Sequence, residues 1–184
     1  MPRTEIRIAG FGGQGVMLAG IIIGKAATIH DRKHAVMVQS FGPEARGGTC
    51  SSQLILSEDP IRYPYVRKPD ILVALSQESY DKFAPKTAEG ATLIVEADLV
   101  KPGVPEEGRR AFTIPATRIA EDLGRKQVIN MIVVGFFTAI TRVVTRQAAV
   151  KAVLDSVPKG TEKLNLEAFD KGFEHGKKAL GESA

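Results

Sequence analysis

The chain has 184 residues, of which 43% are hydrophobic and 25% are charged, a balance typical of an ordinary soluble globular protein. This length suits one domain with a full core, so we expect a single domain over residues 1–184. The net charge of +4 is mild and aromatic residues are few (6%), which argues against a nucleic-acid-binding surface and only weakly for an acidic ligand.

Three further features narrow the class of protein. The single cysteine, Cys50, excludes an internal disulfide and an iron–sulfur cluster held by this chain alone. The first residues lead straight into a predicted strand, with no apolar signal core. The longest apolar run, residues 128–141, contains Asn130 and is too short to cross a bilayer. We therefore expect a cytoplasmic protein that does not bind membranes.

Apolar runs and turn residues predict strands that alternate with helices over the first two-thirds of the chain, followed by helices. The predicted strands span residues 5–9, 35–38, 49–57, 71–75, 92–95 and 111–114. The predicted helices span residues 16–29, 77–83, 117–123, 128–144 and 147–157, and Asn165 is expected to cap a last helix. Ser76, with Ser79 as the competing choice, is the expected N-cap of the second helix, and Thr145 is that of the fifth.

These elements predict a three-layer, Rossmann-like α/β fold, with a mostly parallel sheet and helices on both faces. The continuous apolar run at 35–38 is typical of an interior parallel strand, whereas the part-polar run at 49–57 suits a sheet edge. Gly20 and Gly24 lie one turn apart in the first helix, and this spacing predicts a close approach of a neighbouring strand or helix.

A glycine-rich turn joins the first predicted strand to the first helix. The spacing of Gly10, Gly12 and Gly15 fits the G-x-G-x-x-G dinucleotide fingerprint. Such a turn gathers backbone N–H groups at a helix N-terminus, where they can hold an anion. The candidate anion-binding residues are Gly10, Gly12, Gly13, Gln14 and Gly15. Three interpretations stay open: a packing turn, a site for a phosphate or other anion, and a nicotinamide site.

The nicotinamide interpretation expects an acidic residue at the end of the second strand, to hold the ribose hydroxyls. The second predicted strand is followed by Gln39 instead. A free-standing NAD(P)-dependent enzyme is therefore the weaker alternative. A nucleotide- or anion-binding regulatory module is a second alternative.

A second polar loop, residues 40–48, follows the second predicted strand at the edge where open α/β sheets bind ligands. Arg46 could present its guanidinium to a carboxylate or phosphate, and Glu44 could orient it. A surface Glu–Arg pair is the alternative interpretation. The candidate residues of this rim are Glu44, Arg46, Gly47 and Gly48. The sequence shows no catalytic residues and no metal-ligand spacing.

Taken together, the two loops resemble the gamma subunit of the 2-oxoacid:ferredoxin oxidoreductases. The resemblance rests on Gly-Phe-Gly-Gly-Gln-Gly at 10–15 and Gly-Pro-Glu-Ala-Arg-Gly-Gly at 42–48, and it continues through residues 69–78 and Asn130. The stretch that begins at Tyr63-Pro64 is most similar to the 2-oxoglutarate members. Pyruvate, branched-chain and indolepyruvate members share the pattern, so the 2-oxoacid stays open.

The resemblance implies a complex that oxidatively decarboxylates a 2-oxoacid to an acyl-coenzyme A and passes electrons to ferredoxin. Thiamine diphosphate, Mg²⁺ and iron–sulfur clusters are then expected on alpha, beta and ferredoxin-like delta subunits. This chain lacks the thiamine motif and a cysteine cluster, so the resemblance implies a non-redox subunit, inactive alone. We expect both loops to leave the carboxyl ends of adjacent parallel strands and to form one polar rim that faces the alpha and beta subunits. This rim would either help to close the active site or hold the phosphates of coenzyme A. Whether the isolated chain forms a homodimer is left open by the sequence.

Overall fold

The computed structural model describes residues 3–42, 48–103 and 108–182. Within these residues the strands are Thr4–Phe11 (β1), His34–Phe41 (β2), Thr49–Ser57 (β3), Ile71–Ala74 (β4), Thr92–Glu96 (β5) and Arg110–Ile114 (β6). The α-helices are Val16–Lys25 (α1), Gln77–Phe83 (α2), Ala116–Asp122 (α3), Ile129–Thr141 (α4), Arg146–Leu154 (α5) and Glu162–Ala179 (α6). A π-helical turn, Ala26–His30, continues α1.

The strands form one sheet in the order β2-β3-β1-β4-β5-β6. Strands β1, β4, β5 and β6 pair in parallel, whereas β3 runs antiparallel to both of its neighbours. A mostly parallel α/β sheet was the sequence prediction, and the structure confirms it. The parallel strands place their carboxyl ends along one edge of the sheet, where the glycine-rich turn lies.

The predicted places of two strands are wrong, because β3 is interior and β2 is an edge strand that pairs antiparallel with it. The polar residues of β3 made it look exposed, but Ser52 is fully buried. It faces Gly20 of α1, where a Cβ would overlap the serine hydroxyl. A small residue on each element lets the helix lie against the strand. In β3, Gln53 accepts a hydrogen bond from Arg7 Nη2 at 3.1 Å, so polarity here marks packing rather than exposure.

Helices cover the two faces of the sheet unequally. The main core lies between one face and helices α1, α3, α4, α5 and α6. A smaller core lies on the opposite face, where α2 packs over β1 and β4 and residues of β5 complete the cluster. This arrangement confirms the prediction of helices on both faces. Among the described residues, no helix is both long enough and apolar enough to cross a membrane.

Helices α4 and α6 meet through their backbones. A Cβ on Gly172 would overlap the carbonyl oxygen of Ile132, and a Cβ on Gly135 would overlap that of Phe169. A Cβ on Gly176 would lie 2.6 Å from the Cβ of Ala139. These contacts form what we call the glycine seam, and they keep α4 pressed against α6 along most of its length.

The predicted caps agree with the structure at two of three helices. The Ser76 hydroxyl accepts from Ser79 N at 3.2 Å, and the Thr145 hydroxyl accepts from Ala148 N at 3.1 Å. Helix α6 begins at Glu162, however, so Asn165 is not its cap. The Asn165 amide instead donates back to the Thr161 carbonyl at 2.9 Å, a bond available only once the turn has formed.

Candidate functional site

The glycine-rich turn lies where β1 ends and α1 begins, as the sequence predicts. Gly15 is the N-cap of α1 in the left-handed region (φ 72°), and no side chain caps the first turn. The first N–H groups of a helix have no partner within it, and the helix dipole favours negative charge there. The first turn of α1 contains no acidic residue. These features suit an anion.

Much of the turn is already engaged in hydrogen bonds. Gln14 Oε1 accepts from Phe11 N at 2.7 Å, and Gln14 Nε2 donates to the Leu75 carbonyl at 2.8 Å. The backbone N–H of Gln14 donates to the Phe11 carbonyl, and the backbone N–H of Gly12 donates to the Gly48 carbonyl at 3.0 Å. Gln14 therefore locks the shape of the turn. The N–H groups of this region that can bind an anion are those at the uncapped start of α1.

Asn130 of α4 packs against the same helix start. It is buried, and a Cβ on Gly15 would lie 2.6 Å from three atoms of its side chain. Glycine is required at position 15 for two reasons, the positive φ and this contact. The sequence resemblance had drawn attention to Asn130, and the structure places it at the candidate site.

The second loop meets the first at Gly48, through the bond from the Gly12 amide. Glu44, Arg46 and Gly47 lie outside the described residues. The loop does not leave a strand adjacent to β1, as we had expected, because β3 lies between β1 and β2. The second loop connects the antiparallel strands β2 and β3, so its last residue, Gly48, lies beside the glycine-rich turn.

Three other residues of this edge have roles that the sequence did not reveal. Two aromatic side chains flank the turn, with 38% of Phe11 and 67% of Phe41 exposed. Glu78, in the first turn of α2, accepts from the Thr49 hydroxyl at 3.4 Å. Phe11 and Phe41 lie on β1 and β2 with β3 between them, so the structure shows two separate exposed rings rather than one apolar patch.

Cys50 lies in β3 directly between Gly10 and Phe41 in the two ladders. Burial raises the pKa of the Cys50 thiol above its ordinary value. The thiol therefore stays protonated near neutral pH and is a poor nucleophile. Its proximity to the turn does not make it a reactive group.

The geometry is unfavourable for a nicotinamide nucleotide. In the dinucleotide fold the second strand lies beside the first and supplies the ribose-binding residue. Here Gln39 is in β2, which is separated from β1 by β3. Two strand spacings place it about 10 Å from β1. The described residues also contain no cluster of three or more His, Cys, Asp or Glu side chains that could hold a metal.

The fold defines a Rossmann-like α/β protein in which two loops meet at the carboxyl ends of the parallel strands. The profile of the pyruvate ferredoxin/flavodoxin oxidoreductase family matches residues 5–175. The chain belongs to this family. It is thus one subunit of an oxidoreductase and has partner subunits.

Individual relatives agree with this assignment. The chain is 50% identical over 174 residues to the 2-oxoglutarate synthase subunit KorC of Methanocaldococcus jannaschii, covering 94% of this chain and 93% of the relative. A keto/oxoacid ferredoxin oxidoreductase gamma subunit from Geobacter sulfurreducens matches in structure with a TM-score of 0.84 and 40% identity, over 98% of each chain. The 2-oxoglutarate:ferredoxin oxidoreductase of Magnetococcus marinus, 23% identical, shares the fold (TM-score 0.85) over 96% of this chain and 31% of its own.

Proposed function

We propose that the chain is the gamma subunit of a thiamine diphosphate-dependent 2-oxoglutarate:ferredoxin oxidoreductase. The complex would convert a 2-oxoacid to an acyl-coenzyme A and pass the electrons to ferredoxin. The observation that carries the choice of 2-oxoglutarate is the 50% identity with a 2-oxoglutarate synthase subunit across nearly the whole of both chains. Single-domain organisation over residues 1–184 and a cytoplasmic location are parts of the same proposal.

The division of labour follows from what this sequence contains. Thiamine diphosphate, Mg²⁺ and the iron–sulfur clusters would be bound by alpha, beta and ferredoxin-like delta subunits. In support, the chain has one cysteine, and its sequence contains no Gly-Asp-Gly motif of the kind that binds thiamine diphosphate and magnesium. This chain would therefore contribute shape and binding contacts rather than redox groups.

The edge that carries the two loops is the part that would face the active site. Support comes from the bond between Gly12 and Gly48, which joins the loops, and from the exposed Phe11 and Phe41 beside them. Arg46 and Glu44 belong to the same proposed rim. The uncapped start of α1 would hold a phosphate of coenzyme A. The Magnetococcus enzyme, whose structure contains coenzyme A, has a part with this fold.

The substrate is tested on the complex purified from the source organism. We expect ferredoxin reduction to show a higher kcat/KM with 2-oxoglutarate than with pyruvate or a branched-chain 2-oxoacid. A higher kcat/KM with either of the other acids would refute the choice of 2-oxoglutarate and leave the family unaffected.

The coenzyme A contact is tested by placing a charge beside the start of α1. A Cβ on Gly13 meets no atom within 4 Å, and its φ of +98° is tolerated best by Asn and Asp among residues with a side chain. Gly13→Asp adds a negative charge, and Gly13→Asn is the neutral control of the same shape.

Calorimetry of the assembled complex should give an affinity for coenzyme A that is about tenfold lower with Gly13→Asp than with Gly13→Asn. Both complexes must contain every subunit in the wild-type ratio. Equal affinities in the two complexes would show that α1 does not hold a phosphate.

A further inference from the structure

An irregular segment on the opposite edge of the sheet exposes two tyrosines. Residues 61–68, called the tyrosine segment below, run between β3 and β4 near the amino ends of β1 and β4. Tyr63 is 41% exposed and Tyr65 is 53% exposed, and their rings meet edge to face with centroids 5.5 Å apart. The two rings form a paired aromatic surface.

The fold holds this segment firmly although it has no regular structure. Glu5 of β1 accepts from the amides of Arg67 at 2.8 Å and Lys68 at 3.2 Å. Val66 is buried between the tyrosine and the arginine, and its carbonyl accepts from Arg7 Nη2 at 3.4 Å. A segment fixed before binding loses little conformational freedom when a partner docks.

The charge of the segment is strongly one-sided. Residues 61–68 contain three basic side chains and no acidic one, and the nearest acidic residues before them along the chain are the exposed Glu58 and Asp59. Arg62, Arg67 and Lys68 are all exposed. The nearby carboxylate of Glu5 is turned to the backbone amides and to Arg3, with only 16% of its side chain exposed. The surface therefore favours a negatively charged partner.

The residue types indicate a protein as the partner rather than a nucleic acid. Tyrosine and arginine are enriched among the residues that dominate protein–protein binding energy. The guanidinium of Arg67 lies 4.8 Å from the centroid of the Tyr63 ring, and so covers one of the faces on which a base would stack. The arrangement presents a compact aromatic and cationic surface for contact with a protein.

We propose that the tyrosine segment docks an acidic surface of a partner subunit in the oxidoreductase complex. This inference rests on the chain being one subunit of such a complex. It assigns the chain a second contact surface, on the edge of the sheet opposite the two loops. The loops can then face a ligand while the tyrosine segment anchors the subunit.

The experiment uses tagged copies of the chain expressed in the source organism beside the native chain. The tested variants are Tyr63→Ser/Tyr65→Ser and Arg62→Glu. Lys159→Glu, a charge reversal at an exposed position in the turn before α6, is the matched control. Partner subunits recovered with each tagged chain are identified and quantified by mass spectrometry, and circular dichroism checks that each variant folds.

We expect each tested variant to recover at least tenfold less of one oxidoreductase subunit than the wild type, with Lys159→Glu unchanged. Wild-type recovery by both tested variants would overturn the docking proposal. If nuclease treatment removes the partner subunits recovered with the tagged wild-type chain, the docking proposal is overturned in favour of binding to a nucleic acid. A tagged wild-type chain that recovers no oxidoreductase subunit would instead overturn the proposed function.

A second copy of this chain is the remaining alternative occupant. Sedimentation of the isolated wild-type and variant chains decides it. A dimer that becomes a monomer in Tyr63→Ser/Tyr65→Ser would assign the surface to self-association and refute the partner-subunit proposal. If the double variant does not fold, Arg62→Glu supplies both readouts, because it leaves the paired rings in place.

Discussion

Replacing Gly15 by alanine tests the most constrained point of the candidate site. At φ 72° an alanine is strained by about 1–2 kcal/mol. The new Cβ would also lie 2.6 Å from the Asn130 side chain, and such overpacking costs about 1–3 kcal/mol. Alanine also lowers the conformational entropy of the unfolded chain, which offsets about 0.4–1 kcal/mol of this destabilisation. We expect Gly15→Ala to lower the free energy of unfolding by about 1–4.6 kcal/mol.

The chain offers a matched control for the backbone part of this effect. Gly124 has the same φ of 72°, but a Cβ there meets no atom within 4 Å. Gly124→Ala should therefore show the strain without the overlap. The difference between the two variants should be about 1–3 kcal/mol, measured by urea denaturation at unchanged m-values.

A double-mutant cycle locates the overlap. Asn130→Gly removes all three atoms that crowd the new Cβ, and its own effect on α4 cancels in the cycle. We expect a coupling of about 1–3 kcal/mol between Gly15→Ala and Asn130→Gly. The reasoning is refuted if Gly15→Ala costs no more than Gly124→Ala, or if the coupling is below about 0.3 kcal/mol.

Two further predictions concern groups away from the loops. Glu96 is fully buried, and its carboxylate accepts from the backbone amides of Asp98, Leu99 and Thr117 at 2.7, 2.8 and 2.9 Å. Because Glu96→Ala leaves these donors without their acceptor, it should lower the free energy of unfolding by about 2–4 kcal/mol, measured by urea denaturation. The exposed-site control Glu89→Ala should stay within about 0.5 kcal/mol, and an equal effect of both would contradict this role. Burial, aided by Lys178, lowers the pKa of His175 below its ordinary 6.5. The unfolded chain then binds the proton more readily, so stability falls as pH drops through about 6.5. His175→Gln should flatten that part of the stability profile, and an NMR midpoint at or above 6.5 would disprove the shift.

Local signals predicted most of the elements correctly. The caps at Ser76 and Thr145 act within one helical turn, so their sequence neighbours suffice to reveal them. The glycine-rich turn could likewise be predicted from the residues next to it in the sequence. Asn165 misled because an amide that bonds back to Thr161 looks, in sequence, like one that begins a helix.

The errors came from contacts between distant parts of the chain. The interior position of β3 depends on Ser52 meeting Gly20, a pairing that no local pattern shows. The lock formed by Gln14 depends on the carbonyl of Leu75, which reaches the turn only because β4 lies beside β1. Gln14 stays a predicted anion-binding residue, whereas its structural role in the turn could be seen only in the fold.

The glycine seam leaves no layer of side chains between α4 and α6 where the two backbones meet. Where side chains separate two helices, rotamer changes can absorb a small sliding movement, but the contacts at Gly135 and Gly172 are made by backbone atoms. A displacement of α6 must therefore carry α4 with it. The first turn of α4 contains Asn130, which presses on Gly15 at the start of α1. We therefore expect a partner that displaces α6 to move Asn130, and with it the candidate anion site, as well.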